Sequence, residues 1–179
     1  MRLQATASVK TSQRSPGTSP DAVSSVGGSS RKAAQRAYRR RHPGPTTLLL
    51  MRFDDTRVMR AIHDGVRAAA ARHGRDVVRA DDHDYTGELW TNVALCLENS
   101  DLVIAVLDQV ERSDCDASVM VELGFALAAG RRCLILVERR LRELPAVLRH
   151  RLTYDFDALD LPGSIERRVD DWLARNGDG

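Results

Sequence analysis

One carboxylate is conspicuous by its surroundings. Residues 116–132 read DASVMVELGFALAAGRR, and Glu122 is the only charge between Val119 and Gly130. A charge in apolar surroundings is costly unless it is solvated, paired or used. Spacing leaves two readings of Glu122 open. It is either an acid in the first turns of a helix facing a groove, gaining under about 1 kcal/mol from the helix dipole, or a working group of a site. Asp81, Asp82 and Asp84 flank His83 with the donor types of a cation site. The three acids crowd one loop and no second cluster has ligand spacing, so a solvated or structural loop is the better reading and no metal is expected. Ser113 and Ser118 lack the GxSxG setting of a hydrolase nucleophile. No GxxxxGK[ST] and no GxGxxG is present, which argues against ATPase and dinucleotide-dehydrogenase chemistry. Arg52 precedes the first helix of the domain and is placed to meet a phosphate there, or to pair with Asp54 or Asp55.

These groups need elements to position them. TTLLLMRF, from Thr46, reads as a buried strand. TRVMRAIHDGVRAAAARHG sets Val58, Ile62, Val66 and Ala69 on one helical face and closes at Gly74, leaving His63 and His73 facing solvent. DVVRA is a second strand, and TGELWTNVALCLENS carries Leu89, Val93 and Leu97 as a helical stripe. DLVIAVLD is a continuous apolar run, as expected of a strand covered on both faces. The Glu122 helix is capped by Asp116 or Ser118 and closed by Gly130, packs through Val119, Leu123, Ala126 and Leu127, and has Gly124 for close approach to a neighbour or a ligand. RCLILVE, a short helical piece in LRELPAVLRHR, the strand LTYDF and the helix SIERRVDDWLARNG complete the chain. Strands alternating with helices imply βαβ units, hence an α/β, flavodoxin-like, doubly wound, five-stranded parallel sheet. Such sheets bind ligands beyond the carboxyl ends of their strands, at the switch point of the strand order. The segments there, RFDDTR, RADDHDYTGE, DQVERSDCDAS and ERRLRE, are crowded with charge, and Glu122 lies on the same edge.

Charge divides the chain in two. Residues 1–50 hold nine Arg/Lys and one acid, and residues 51–179 hold 18 Arg/Lys against 24 Asp/Glu. Residues 1–44 are read as a disordered basic arm rich in Ser, Gly, Pro and Arg, within which 31–42 has the pattern of a short basic helix; 45–176 is the folded domain. The arm has the composition of a transit peptide, of a variable tail, or of a segment touching nucleic acid. The three cysteines, Cys96, Cys115 and Cys133, are odd in number and have no CxxC spacing, as expected of reduced thiols in a cytoplasmic protein. No apolar run reaches the roughly 18 residues of a membrane-spanning helix, and no membrane partner is expected.

Taken together and in order, LLLMRFDD, VVRADD, ENSDLVIAVLD, SVMVELGFALAAGRRCLIL and LPAVLRHRLTYDF resemble bacterial TIR-like domains related to nucleoside 2-deoxyribosyltransferases. The resemblance spans roughly residues 46–173, and VELGFALAAGRRCLIL is its most specific piece. It implies N-glycosidic chemistry on a nucleoside or nucleotide: cleavage of NAD, exchange of bases, transfer of deoxyribose, or binding of a nucleotide signal without turnover, often in antiphage defence and with self-association. It implies that Glu122 engages the ribose and is the catalytic carboxylate. It further implies Asp81 and Asp108 as polar contacts and residues 52–56, among them Arg52, Phe53 and Asp54, as the wall nearest the phosphates, with Ser118, also a substrate contact, standing where the family commonly has Asn. No cofactor beyond the substrate is implied. The chain departs from the family at Met51-Arg52-Phe53, usually Met-Pro-Phe, at Val106, often Asp, and at Val121, usually aromatic.

Overall fold

The structure is a computed structural model that describes residues 21–111, 116–141 and 143–177, with side chains from Ser30 onward. The element order is α1 (Asp21–Arg41), β1 (Thr46–Leu50), α2 (Arg57–Arg72), β2 (Asp76–Val78), α3 (Leu89–Asn99), β3 (Leu102–Leu107), α4 (Ala117–Ala128), β4 (Arg132–Glu138), β5 (Tyr154–Phe156) and α5 (Gly163–Asn176). Short 3-10 turns at Ala146–Leu148 and Ala158–Asp160 flank β5. The five strands pair in parallel in the order β2-β1-β3-β4-β5. That is the flavodoxin-like order expected, and its switch point is the crevice between β1 and β3.

The alternation of side chains along a strand divides the core between the two faces of the sheet. Leu48, Leu50, Val103, Ala105, Leu107 and Ile135 face the layer of α1, α3 and α4. Leu49, Met51, Leu102, Ile104, Val106, Leu134 and Leu136 face α2 and α5. Burial on both sides is what turns β1 and β3 into unbroken apolar runs. The α2–α5 contact is close at Gly65, where an added Cβ would lie 3.0 Å from Pro162 Cβ and 3.1 Å from Pro162 O. Thr56 caps α2, its side chain accepting from Met59 N at 3.2 Å.

The arm expected over residues 1–44 needs correction where it is described. Residues 30–42 are part of the folded body, so the boundary at 45 is placed too late; residues 1–20 lie outside the described residues. Tyr38 is 1% exposed and sits in the core with Ala34. Its hydroxyl donates to Thr46 Oγ1 at 3.2 Å and lies 3.0 Å from Ser100 Oγ. Gln35 donates to Asn99 at 3.2 Å, Arg31 pairs with Glu98, and His42 bridges Asp76 and the Tyr85 hydroxyl. Two apolar residues four apart make a stripe too narrow to register in composition, yet wide enough to lie on α3.

Three smaller expectations also change. Leu89 is 60% exposed, because α3 begins there on the Glu88 cap and its buried stripe starts at Asn92 and Val93. His73 is half-buried and hydrogen-bonded to Asp170 rather than free in solvent. Gly124 faces open space with nothing within 4 Å of a would-be Cβ, so it does not bring α4 close to a neighbouring element. Cys96 and Cys133 are free thiols whose pKa burial pushes up, to about 12 and about 11; Cys115 lies outside the described residues. Among the described residues no helix is long and apolar enough to cross a membrane.

Candidate functional site

Helix α4 begins at the carboxyl edge of β3. Asp116 is its N-cap, accepting from Ser118 N at 2.8 Å, which decides between the two caps the sequence allowed. Gly130, just past the helix, has φ of 70° and closes it in the left-handed conformation glycine tolerates. Val119, Leu123 and Ala126 are buried against the sheet. The same helical turn carries Glu122 inward, so that it is only 6% exposed.

Glu122 opens into a small cleft of about 170 Å³ formed with the end of β1 and lined by Met51, Arg52, Phe53, Asp54, Asp116, Ser118 and Val119. No described side chain donates a hydrogen bond to its carboxylate. Burial pushes its pKa up to about 7, and the charges of Asp116 and Asp81 add to the rise. The helix dipole does not offset this, because its effect fades beyond the first turn. The result is a carboxyl group that titrates near neutrality in a sheltered cleft at the switch point of the sheet. Such a group is suited to hold hydroxyls or to face a developing positive charge.

The structure brings together most of the residues the sequence singled out, in different roles. Arg52, Phe53, Asp54 and Ser118 all line the Glu122 cleft. Arg52 is buried and pairs with Asp108, which is 4% exposed, and more loosely with Asp54, one of the two partners the sequence offered. Asp54 Oδ2 is 4.0 Å from its Nη1. Arg52 Nε and Nη1 make no hydrogen bond among the described residues. Asp108 also accepts from Val110 N at 3.2 Å; burial raises its pKa, and Arg52 restrains the rise. Asp108 is therefore not in the cleft wall and acts through Arg52. Asp81 is exposed and lies in a second cleft of about 240 Å³, lined also by Met59, Arg60, His63 and Arg79, which shares Phe53 and Asp54 with the first. Asp81 reaches Glu122 by its charge and not by contact.

Two members of the site were missed by sequence reasoning. Arg79 pairs with Asp81 through contacts of 2.9 and 2.5 Å and lies 5.4 Å over the Phe53 ring, which is 41% exposed at the rim. The signal for it was the Arg-x-Asp spacing at 79–81. Asp116 is legible from sequence only as a cap, because a separation of six is not a same-face helical spacing; the fold places it in the cleft wall. The remaining acids of the 81–84 loop serve the loop itself. Asp82 accepts from Arg79 N at 3.2 Å, and Asp84 accepts from Thr86 N at 2.9 Å and Gly87 N at 2.7 Å, which hold its pKa down. Val121, at the family's aromatic position, is 60% exposed and does not line the cleft.

The fold and site together are those of a flavodoxin-like α/β domain with a sheltered carboxylate at its switch point. Within it, residues 59–158 match the family model described as nucleoside 2-deoxyribosyltransferase, and the chain belongs to that family. The matched stretch includes Asp81, Asp108, Ser118 and Glu122, but neither Arg52 nor α1. Among solved structures the chain is similar to a 2-desoxiribosyltransferase from Leishmania mexicana, at 22% identity and a TM-score of 0.42 over 52% of this chain and 65% of that one. The chain thus spans just under two thirds of that protein's length. No curated protein matches it.

Proposed function

We propose that the protein breaks the N-glycosidic bond of a nucleoside or nucleotide and passes the sugar to a second base or to water. The observation that carries this reading is the buried Glu122, with its pKa near 7, in a cleft on the matched part of the chain. As the C1′–N bond breaks, the electron pair leaves with the base and the sugar becomes cationic. A preorganised anion in a sheltered cleft stabilises that charge or bonds to C1′. The acceptor base or water then forms the new C1′ bond and releases a proton; where Glu122 had bonded to C1′, that bond breaks in the same step and its electron pair returns to the carboxylate. Phe53 at the rim offers a face for a base to stack on, and Ser118 offers a hydroxyl at the cleft wall.

The finer reading, a TIR-like domain that cleaves NAD in antiphage defence, rests on the sequence resemblance. The adjoining cleft sets Arg60 and Arg79 among Asp54, Asp55, Asp81 and Asp82, with Arg60 paired to Asp55 and Arg79 to Asp81, so its charge does not choose between nucleoside and nucleotide. The test is base release from 2′-deoxynucleosides, with and without an acceptor base, and from NAD. It is run over a protein concentration series because the resemblance implies self-association. The native chain turns over one of the two substrate classes, and Glu122→Gln lowers kcat by about 10²–10³. No turnover of either class, with nucleotide affinity unchanged by Glu122→Gln, would make this a binding module.

A further inference from the structure

We propose that the outer face of α1 is a docking surface for the phosphate backbone of a nucleic acid. Between Asp21 and Asp54 there is no acid, while Arg31, Lys32, Arg36, Arg39, Arg40 and Arg41 fall within eleven residues. The fold sorts them. Ala34 and Tyr38 turn inward onto α3, and Arg31 at the flank is taken by Glu98. Lys32, Arg36, Arg39, Arg40 and Arg41 are exposed, and among the described residues none has a carboxylate within ion-pair distance. Several other exposed arginines are matched, Arg72 with Asp170, Arg139 with Asp157, Arg167 with Asp160 and Arg168 with Asp155, and those with no ion pair among the described residues, such as Arg57, Arg67, Arg140 and Arg175, are dispersed along the sequence rather than gathered within eleven residues. At 1.5 Å of rise per residue, the stripe from Lys32 to Arg40 runs about 12 Å along the helix, the scale of several successive phosphates.

The rest of the molecule says what kind of anion fits. Residues 51–179 carry 18 Arg/Lys against 24 Asp/Glu, so a polyanion is attracted to α1 and repelled by the body. A helix that lies in a membrane surface needs a free apolar face, and from Ser30 onward the apolar residues Ala34 and Tyr38 of α1 are buried in the core. The cationic surface also continues past the helix end. Arg39 borders a cavity of about 510 Å³ whose wall includes Arg131, and Arg131 Nε has no hydrogen-bond partner among the described residues. The two acids in that wall, Glu98 and Asp101, are committed to Arg31 and Arg75. Helix α1 leads into Thr46 at the amino end of β1, while Glu122 lies at the carboxyl edge. A strand held on α1 therefore leaves the cleft open.

The test is the anisotropy of a labelled duplex DNA titrated with the full chain between about 50 and 200 mM salt. Each phosphate neutralised steepens the log–log salt dependence by about 0.9, so five cations give a slope of about 4.5. Replacing Lys32, Arg36, Arg39, Arg40 and Arg41 by Gln should remove most of that slope and weaken binding at least tenfold at the low-salt end. The pair Arg36→Gln/Arg40→Gln should remove about two units of slope, a readout that survives if the fivefold variant folds poorly. Arg139→Gln/Arg167→Gln/Arg168→Gln, a loss of three charges away from α1, should bind as the native chain does. Three results overturn the proposal: α1 variants that bind as well as the native chain, a control triple that loses as much, or native protein that binds phosphatidylserine-containing vesicles but not the duplex.

Discussion

Glu122 and Arg52 are both charged and both buried, and the fold treats them differently. Arg52 has a fixed counter-ion in Asp108, whereas Glu122 has none and carries the burial cost in its raised pKa. The sign of the consequence follows. Below its ordinary value of 4.5, Glu122 is protonated in both folded and unfolded chains. Between there and about 7 the unfolded chain loses its proton first, so this group lowers stability as pH rises, fully so above about 7. Glu122→Gln is accordingly expected to stabilise the protein by about 1–3 kcal/mol at pH 8 and by almost nothing at pH 4. Denaturant unfolding of both proteins at the two pH values measures this. If the ionised form is the working one, kcat/KM of the native chain rises with pH through about 7, the value of the free site. Arg52→Met leaves Asp108 buried without its cation and should cost about 3–5 kcal/mol. Arg52→Met/Asp108→Leu should cost less than that single change, a comparison urea melts can make.

At the scale of elements, two glycines give opposite expectations. Gly65 in α2 lies against Pro162 at the start of α5, so Gly65→Ala forces the two helices apart and should cost about 1–3 kcal/mol. Gly124 in α4 has nothing within 4 Å, and Gly124→Ala should add roughly 0.5–1 kcal/mol from helix propensity while leaving the cleft unchanged. Thermal melts of the two variants should move in opposite directions. Nearly every element was legible because its reason is local. β1 and β3 are covered on both faces and so read as solid apolar runs, and α2 shows its buried side at helical spacing. What escaped depends on distance. The Arg52–Asp108 pair joins residues 56 apart that meet only because β1 and β3 are neighbours. The true neighbours of Arg52 could not be chosen among Asp54, Asp55 and Asp108 from sequence. Glu122 was legible because its helix follows β3 and thus had to start at the ligand-binding edge.

The molecule as a whole has one more layer member than the charge pattern suggested. Helix α1 covers α3, and its Tyr38 ties the amino ends of β1 and β3 through Thr46 and Ser100. Tyr38→Ala should cost about 3–5 kcal/mol, and deletion of residues 1–42 should lower the melting temperature rather than leave it unchanged. Composition hid this because a helix rich in arginine and poor in large apolar groups resembles a tail, and only Tyr38 with Ala34 gives it a place in the core. The strand order carries a consequence of its own. Paired strands elsewhere in the sheet are separated by at most 30 residues, as in Thr46↔Asp76 and Leu102↔Arg132, but β1 meets β3 across 55, Thr47 opposite Leu102. Closing that longest loop carries the largest entropy cost and places the slowest kind of contact at the crevice. The wall bearing Arg52 and the helix bearing Glu122 therefore face each other only once this central seam has zipped. The cleft belongs to the assembled sheet, and neither half of the chain cut between β1 and β3 would carry it.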